Sequence, residues 1–267
     1  MGTPRRIGVT PFTGSWAYAA FTLLGALSTA ANASVDDARH PDEAPALEQA
    51  KAATPYKLTS GHYRFDDRSP GTDINLRRSF DWGNSWLGYY RDPSFGEQWR
   101  VGADGNLRPW SDLELSIQPS AQLAGRGFAG GSVTVEYGVP WFVSGSIGRT
   151  NLKPYWNLNF DPNDAVSAAA GYRGGQGATV YLQVIRDDRL GTGQQHVHAV
   201  ARLPVRGRER ITIDLLRKQG LADDEYVRAW GLAIGYDWPR YFIRVARDPK
   251  VNFSPSNVTR INFGFRF

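Results

Sequence analysis

From Tyr56 onward the chain repeats one arrangement: about nine residues in which apolar and polar side chains alternate, followed by a turn rich in Gly, Pro, Asn or Asp. The segment 226–236 shows it most clearly. Tyr226, Trp230, Leu232, Ile234 and Tyr236 share one face, and Val227, Ala229, Gly231, Ala233 and Gly235 share the other. Arg228 interrupts the bulky face near the start of the segment, a position expected to lie at an interface if the strand crosses a membrane. Residues 209–215 set Ile211, Ile213 and Leu215 against Arg210, Thr212 and Asp214. In 132–137, Val133, Val135 and Tyr137 oppose Ser132, Thr134 and Glu136. Leu113, Leu115 and Ile117 alternate with Asp112, Glu114 and Ser116. A period of two is the signature of strands with one apolar and one polar face.

Strands are predicted near 57–65, 72–80, 85–92, 97–105, 110–118, 129–137 and 141–149. The second half adds 165–173, 178–186, 195–203, 209–217, 226–237, 240–247 and 257–267. Counting 155–160 as a further strand would put the two chain ends on opposite sides of a closed sheet. Taking 149–164 as one long loop gives fourteen strands, with twelve the next count. The turns Asp81-Trp82-Gly83-Asn84, Gly138-Val139-Pro140 and Asp237-Trp238-Pro239 then fall on the side of the chain termini, and the longer connections 186–194 and 247–256 on the other.

Alternation alone does not separate a membrane barrel from a soluble sandwich. Composition narrows the choice. Mean hydropathy is −0.43, yet 13% of residues are aromatic and 29 are glycine. A polar average with many aromatics suits strands that face lipid on one side and water on the other, not apolar helices. Trp99, Trp141, Tyr172, Trp230, Tyr236 and Tyr241 sit at strand ends, the positions of interfacial girdles. After Ser34 no apolar run reaches the roughly 18 residues that a spanning helix needs.

The first 33 residues have the order of a secretory signal: Arg5 and Arg6, an apolar run over 16–27, then Ala31-Asn32-Ala33 before Ser34. The competing reading, an anchor helix, meets a run that is short for a span. Residues 34–55 contain Ala, Asp, Glu and Pro and lack the alternation that follows, so they are expected to form a periplasmic arm, with a lumen plug as the alternative. The chain has no cysteine, which excludes disulfides and thiolate chemistry. The net charge of +5 falls to +3 once Arg5 and Arg6 leave with the signal, and the basic residues are scattered rather than clustered on one face, so no nucleic-acid footprint is expected.

The last eleven residues read Asn-Val-Thr-Arg-Ile-Asn-Phe-Gly-Phe-Arg-Phe. Ile261, Phe263, Phe265 and Phe267 lie on one face, and Arg260, Asn262, Gly264 and Arg266 on the other. Here the chain resembles bacterial outer-membrane β-barrel proteins, whose final strand alternates apolar residues and ends in an aromatic. The resemblance implies an all-β fold, an antiparallel up-and-down transmembrane β-barrel over 56–267. It also implies that Ile261, Phe263, Phe265 and Phe267 serve as an assembly signal. The partners it implies are the barrel-assembly machinery, outer-membrane lipid and lipopolysaccharide, and the location is the outer membrane of a Gram-negative cell.

A fourteen-strand lumen is wider than an eight-strand barrel filled by its own side chains. Its expected lining includes Arg77, Arg100, Asp112, Glu114, Glu136, Arg173, His196, His198, Arg202, Arg210, Asp214, Arg244, Arg260 and Arg266, since charges this frequent would not face lipid. They either pair into ladders or line a hydrated passage. Arginine outnumbers acid among them, so a passage would favour anions. The expected function is a monomeric porin-like channel for small polar or anionic solutes. The alternatives are a structural or polymer-export barrel and, behind it, a lipid-modifying enzyme. His196 and His198 share a face, but Arg202 and Arg210 nearby would repel a cation, so no metal or cofactor is expected. Ser60 and His62 share another face, and no catalytic constellation surrounds them.

Overall fold

The computed structural model describes residues 54–156, 164–222 and 225–267. The signal segment and almost all of the arm lie outside them. The described chain is all-β. Its strands are β1 (Tyr56–Phe65), β2 (Pro70–Phe80), β3 (Gly83–Asp92), β4 (Gly96–Gly105), β5 (Leu115–Ala124), β6 (Phe128–Tyr137) and β7 (Trp141–Thr150). They continue with β8 (Ala165–Arg173), β9 (Thr179–Asp187), β10 (Gln195–Pro204), β11 (Arg210–Ala222), β12 (Glu225–Asp237), β13 (Tyr241–Asp248) and β14 (Val258–Arg266).

Every strand pairs antiparallel with its neighbours in sequence, and β14 returns to β1, so the sheet closes into a barrel of fourteen strands. At the seam Tyr56 N–H donates to the Phe267 carbonyl at 2.9 Å, and Phe267 N–H donates back at 3.0 Å. Closure gives every strand a hydrogen-bonded neighbour on both sides, the condition for a sheet surrounded by hydrocarbon, although toward the loop end the β12–β13 ladder stops at Leu232 and the β4–β5 ladder at Arg100.

Within the segment expected as one loop, 149–164, the structure places no strand after the end of β7 at Thr150 among the described residues, and β8 starts at Ala165, so the parity argument from sequence yields the observed count. The fifth strand is displaced. It was expected near 110–118 and runs instead from Leu115 to Ala124. Ser111–Leu113 makes a single 3-10 turn, and Glu114 takes φ 49°, a left-handed residue that resets the phase of the chain. The side-chain spacing looks continuous across this point, but the backbone is not.

Alternation sorts the wall into two faces. Outside lie Leu87, Val143, Leu182, Leu232 and Phe263, all exposed. Near the chain termini the Trp141 and Tyr172 rings meet at a tilt on this face, 4.9 Å apart, and Tyr241 stacks on Phe265 at 5.2 Å. Trp99, Tyr89 and Trp230 lie toward the opposite end. An exposed apolar belt running round the whole wall far exceeds the patches of a water-soluble surface, and aromatics flank it on both sides. The two ends differ as well. The terminal end carries tight turns such as 81–82 and 138–140 beside the longer 106–114, and the opposite loop end carries 151–156, 188–194 and 249–257.

Candidate functional site: the barrel lumen

The inner face is polar, and six of its ion pairs follow one geometric rule. Arg100 of β4 donates to Asp73 of β2 at 2.8 Å, and Arg77 of β2 donates to Asp104 of β4 at 2.9 Å. Arg173 of β8 reaches Glu136 of β6 at 2.8 Å. Arg244 of β13 reaches Asp214 of β11 at 3.3 Å. Lys218 of β11 pairs with Asp248 of β13, and Arg266 of β14 pairs with Asp237 of β12. Each pair skips one strand, a lateral distance of about 10 Å at the usual strand spacing. The ion pairs therefore run around the wall and not across it.

The skipped strand makes room. Arg100 lies over Gly88, where an added Cβ would stand 2.8 Å from its Nε. Arg244 and Asp214 meet over Gly235 and Ala233, which are their register partners on β12. Arg173 packs on the flat ring of Phe142, 3.8 Å from its centroid. Inner aromatics lie flat by the same device: a Cβ on Gly102 would sit 2.3 Å from Trp86 Cζ2, and one on Gly264 only 1.8 Å from the Phe242 ring. The wall is thereby lined by side chains laid along it.

Buried pairs of this kind gain little net stability, but losing one partner strands a charge and costs about 3–5 kcal/mol. Lys218 and Asp248 are the extreme case, with side-chain exposures of 0% and 1%. Beside them His196 is buried, stacks on Phe253 at 5.3 Å, and has no hydrogen-bond partner at either ring nitrogen. His198 Nδ1 lies 2.9 Å from Asp214 Oδ1. Among the described residues no group of three or more His, Cys, Asp or Glu side chains is placed to hold a metal ion.

The sequence-derived residues fall as follows. Arg100, Arg173, His196, His198, Arg202, Asp214 and Arg260 are buried on the inner face. Arg77, Glu136, Arg210, Arg244 and Arg266 are half-buried on the same face. Asp112 and Glu114 require correction. Both are exposed in the turn before β5, where the Glu114 carboxylate accepts a hydrogen bond from Val139 N–H at 3.0 Å. The phase reset at Glu114 removes them from the lining. Ser60 and His62 are exposed on the outer face. Ile261, Phe263, Phe265 and Phe267 are built into the outer wall at the seam.

Sequence reasoning missed the partners Asp73, Asp104, Lys218 and Asp248. A signal existed: Asp73 is four residues from Arg77, and Lys218 four from Asp214, both in phase with an inner face. It also missed the mouth. The 151–156 segment turns into the lumen, where Tyr155 stacks on Phe128 at 4.2 Å and Trp156 stacks on Tyr90 at 5.5 Å. Gln98 fixes it by accepting from Trp156 N–H at 2.8 Å and donating to the Trp156 carbonyl at 3.1 Å. Burial raises the Tyr155 phenol above the usual tyrosine range. Trp156, Tyr90, Tyr63, Phe65 and Val258 form the largest apolar cluster inside the wall, at the loop end.

A closed antiparallel barrel with an apolar exterior, aromatic bands and a charged lumen defines the class architecturally, as a transmembrane-type β-barrel. Among solved structures the chain is similar in fold to the outer membrane protein Omp33 of Acinetobacter baumannii, with TM-score 0.55 and 11% identity over 80% of this chain and 98% of that one. The NanC porin aligns with TM-score 0.44 and 8% identity over 79% of this chain and 100% of that one. The KdgM porin gives 0.40 and 10% over 79% and 99%. No family model and no curated protein matches the sequence.

Proposed function

We propose that the chain is an outer-membrane porin-like channel through which small polar solutes diffuse, with anions favoured. The observation that carries this reading is the direction of the ion pairs. Opposite walls of a fourteen-strand barrel stand roughly 28 Å apart, given the usual strand spacing and tilt. Pairs that close tangentially over about 10 Å do not bridge that width. Arg202, Arg210, Arg244 and Arg260 then border the passage from β10, β11, β13 and β14. A one-signed excess inside low-dielectric walls focuses field lines and raises the local concentration of counter-ions. Tyr155, Trp156 and Phe253 narrow the loop end, and that end sets the size limit.

The outer apolar belt, the expected secretory signal and the likeness in fold to Omp33 support the outer-membrane location. The alternation of Ile261, Phe263, Phe265 and Phe267 on the seam strand supports an assembly signal read before the barrel closes. The test is single-channel conductance of the refolded chain in a planar bilayer of neutral lipid, under asymmetric salt. Stable steps with a reversal potential on the anion side are expected. Silence from a chain shown by circular dichroism and heat-modifiable migration to be folded would mean a sealed barrel and a structural role.

A further inference from the structure

At the terminal end the charges of the barrel rim are divided between two arcs. On the arc from β10 through β14 to β1, the 205–209 turn carries Arg206 and Arg208, and the 238–240 turn carries Arg240. All three are exposed, and among the described residues none of their guanidinium groups has a carboxylate or an aromatic ring as partner. The acids beside them are engaged. The Glu209 carboxylate accepts from the Tyr236 hydroxyl at 2.6 Å, and Asp237 pairs with Arg266. On the opposite arc the 106–114 turn carries Asp112 and Glu114 against Arg108. The rim is basic on one side and acidic on the other, and a basic arc whose acids are already engaged is a surface for an acidic partner.

The chain supplies such a partner next to that arc. Residues 34–53 contain Asp36, Asp37, Asp42, Glu43 and Glu48 against Arg39 and Lys51, with no Phe, Tyr or Trp. The segment enters the barrel at β1, on the seam where Tyr56 meets Phe267, and there Arg266 N–H donates to the Arg240 carbonyl at 2.7 Å. The 238–240 turn thus stands beside the point of entry. The 205–209 turn lies four to five strands along the wall, about 20–25 Å at the usual spacing. Glu48 precedes Thr54 by six residues and Asp42 by twelve, reaches of about 20 and about 40 Å for extended chain. Both turns are within range. Single exposed ion pairs are weak, but a tether of this length holds the acids at roughly millimolar effective concentration, which lets weak contacts stay occupied.

We infer that residues 34–53 dock on the basic arc of the terminal mouth, with Asp42 and Glu43 at the 205–209 turn and Glu48 at Arg240, so that the chain carries its own anionic ligand for that rim. The effect follows from field cancellation. Acidic side chains laid over Arg206, Arg208 and Arg240 remove the positive potential that draws anions to that side of the mouth. Docking therefore lowers the anion preference at low salt. Salt releases the segment, since Debye screening at 1 M reaches only about 3 Å. The effect on solutes rests on the channel reading, and the docking itself does not.

The experiment is cross-linking in the refolded chain from Ser34 to Phe267, which has no native cysteine to interfere. Ala44→Cys is combined either with Val205→Cys on the basic arc or with Trp110→Cys on the opposite one, both at exposed positions. Disulfide formation under a mild oxidant is followed at about 0.1 M and about 1 M salt. Trp110 lies three to four strands from β1, no farther along the wall than Val205, so a tether alone gives no preference for Val205. The Val205 pair is expected to close about threefold faster or more at low salt, each exposed charge contact contributing a modest share. The difference should disappear at high salt and on substituting Arg206→Gln, Arg208→Gln and Arg240→Gln together. Heat-modifiable migration checks that every variant is folded. Reversal potentials in neutral lipid are recorded alongside. Neutralising the segment with Asp42→Asn, Glu43→Gln and Glu48→Gln should move the potential further toward anions at low salt and leave it unchanged at high salt. Equal rates for the two pairs, or a Val205 preference that salt and the triple arginine variant leave intact, would overturn the docking. Cross-links between copies in place of those within one chain would assign the rim to a second chain and overturn it as well. A folded chain that cross-links at Val205 and never conducts refutes the channel reading alone, and one that conducts without a Val205 preference refutes the docking alone.

Discussion

The two halves of the lumen wall are built from different chemistry. From β9 round through β14 and β1 to β4 the inner face carries Lys218, Asp214, Arg244, Asp248, Arg260, Asp73, Arg100, Arg77 and Asp104. From β5 to β8, away from the Arg173–Glu136 pair at the terminal end, it carries Ser116, Gln118, Ser120, Gln122, Ser132, Thr134, Ser144, Ser146 and Ser167. The hydroxyls of the neutral half bond over short distances. Ser120 and Ser132 Oγ lie 2.7 Å apart, and Ser146 and Ser167 Oγ 2.5 Å apart, each between adjacent strands. The charged half needs long side chains that vault a strand. One wall is stiffened by buried charge and the other is a smooth hydroxyl surface, so their responses to substitution must differ in kind.

The largest difference is expected in stability. Lys218→Met leaves the Asp248 carboxylate buried without its cation and should destabilise the folded barrel by about 3–5 kcal/mol. Adding Asp248→Leu should recover most of that loss. Gln118→Leu on the neutral wall breaks one neutral contact, Gln118 Nε2 to Ser116 Oγ at 3.0 Å, and should cost about 1 kcal/mol or less. Denaturant titrations of all three in one detergent measure the contrast. Equal costs on the two walls would dissolve it.

A second test concerns the device that keeps the charged half flat against the wall. Gly102→Val should drive the Trp86 ring inward, because a Cβ at Gly102 would already fall 2.3 Å from it and 2.7 Å from the Ala121 carbonyl. The expected result is about 1–3 kcal/mol of destabilisation together with reduced single-channel conductance. Gly145→Val points outward on β7, where the nearest atom to a Cβ is 3.9 Å away, and should leave conductance unchanged.

How much of this was legible beforehand follows from what a two-residue period encodes. It fixes faces, so 226–236 and 209–215 fell correctly, and the strand count followed from parity once 149–164 was taken as a loop. It does not encode phase resets, and Glu114 with φ 49° was invisible within an unbroken alternation. Nor does it encode lateral neighbours. That Arg100 meets Asp73 over Gly88, or that Lys218 meets Asp248 across β12, depends on strand stagger and on the residue of the skipped strand, which no single strand contains. The neutral wall was underestimated for a related reason. Serines on an inner face carry no charge to draw notice, although they define one side of the passage.

Selectivity should divide along the same line. Arg260 is buried on β14 and acts electrostatically on both Asp73 and Asp214, at the middle of the charged half. Arg260→Glu changes the local charge by two and should move the reversal potential under a salt gradient clearly toward cations. Ser146→Lys places one cation on the wall that has none nearby, and should shift it by a smaller amount toward anions. Identical shifts of opposite sign would mean that solutes sample both walls alike.

The smallest effect expected is in how salt erases these preferences, and it is also the most discriminating. Debye screening shortens from about 10 Å at 0.1 M to about 3 Å at 1 M, so an exposed charge loses most of its reach while a buried, paired one is screened far less. The lysine added at Ser146 would stand between hydroxyls, with no acid among the inner-face residues of β6, β7 and β8 at its level. Its contribution to selectivity should vanish by 1 M salt. The native arginines, held beside Asp73 and Asp214, should keep part of theirs. Reversal potentials measured at constant salt ratio and rising absolute concentration separate the two cases. Parallel decay in the native chain and the Ser146→Lys variant would show that ions pass the charged wall through bulk-like water, and that the pairing along the wall stabilises the barrel without shaping its field.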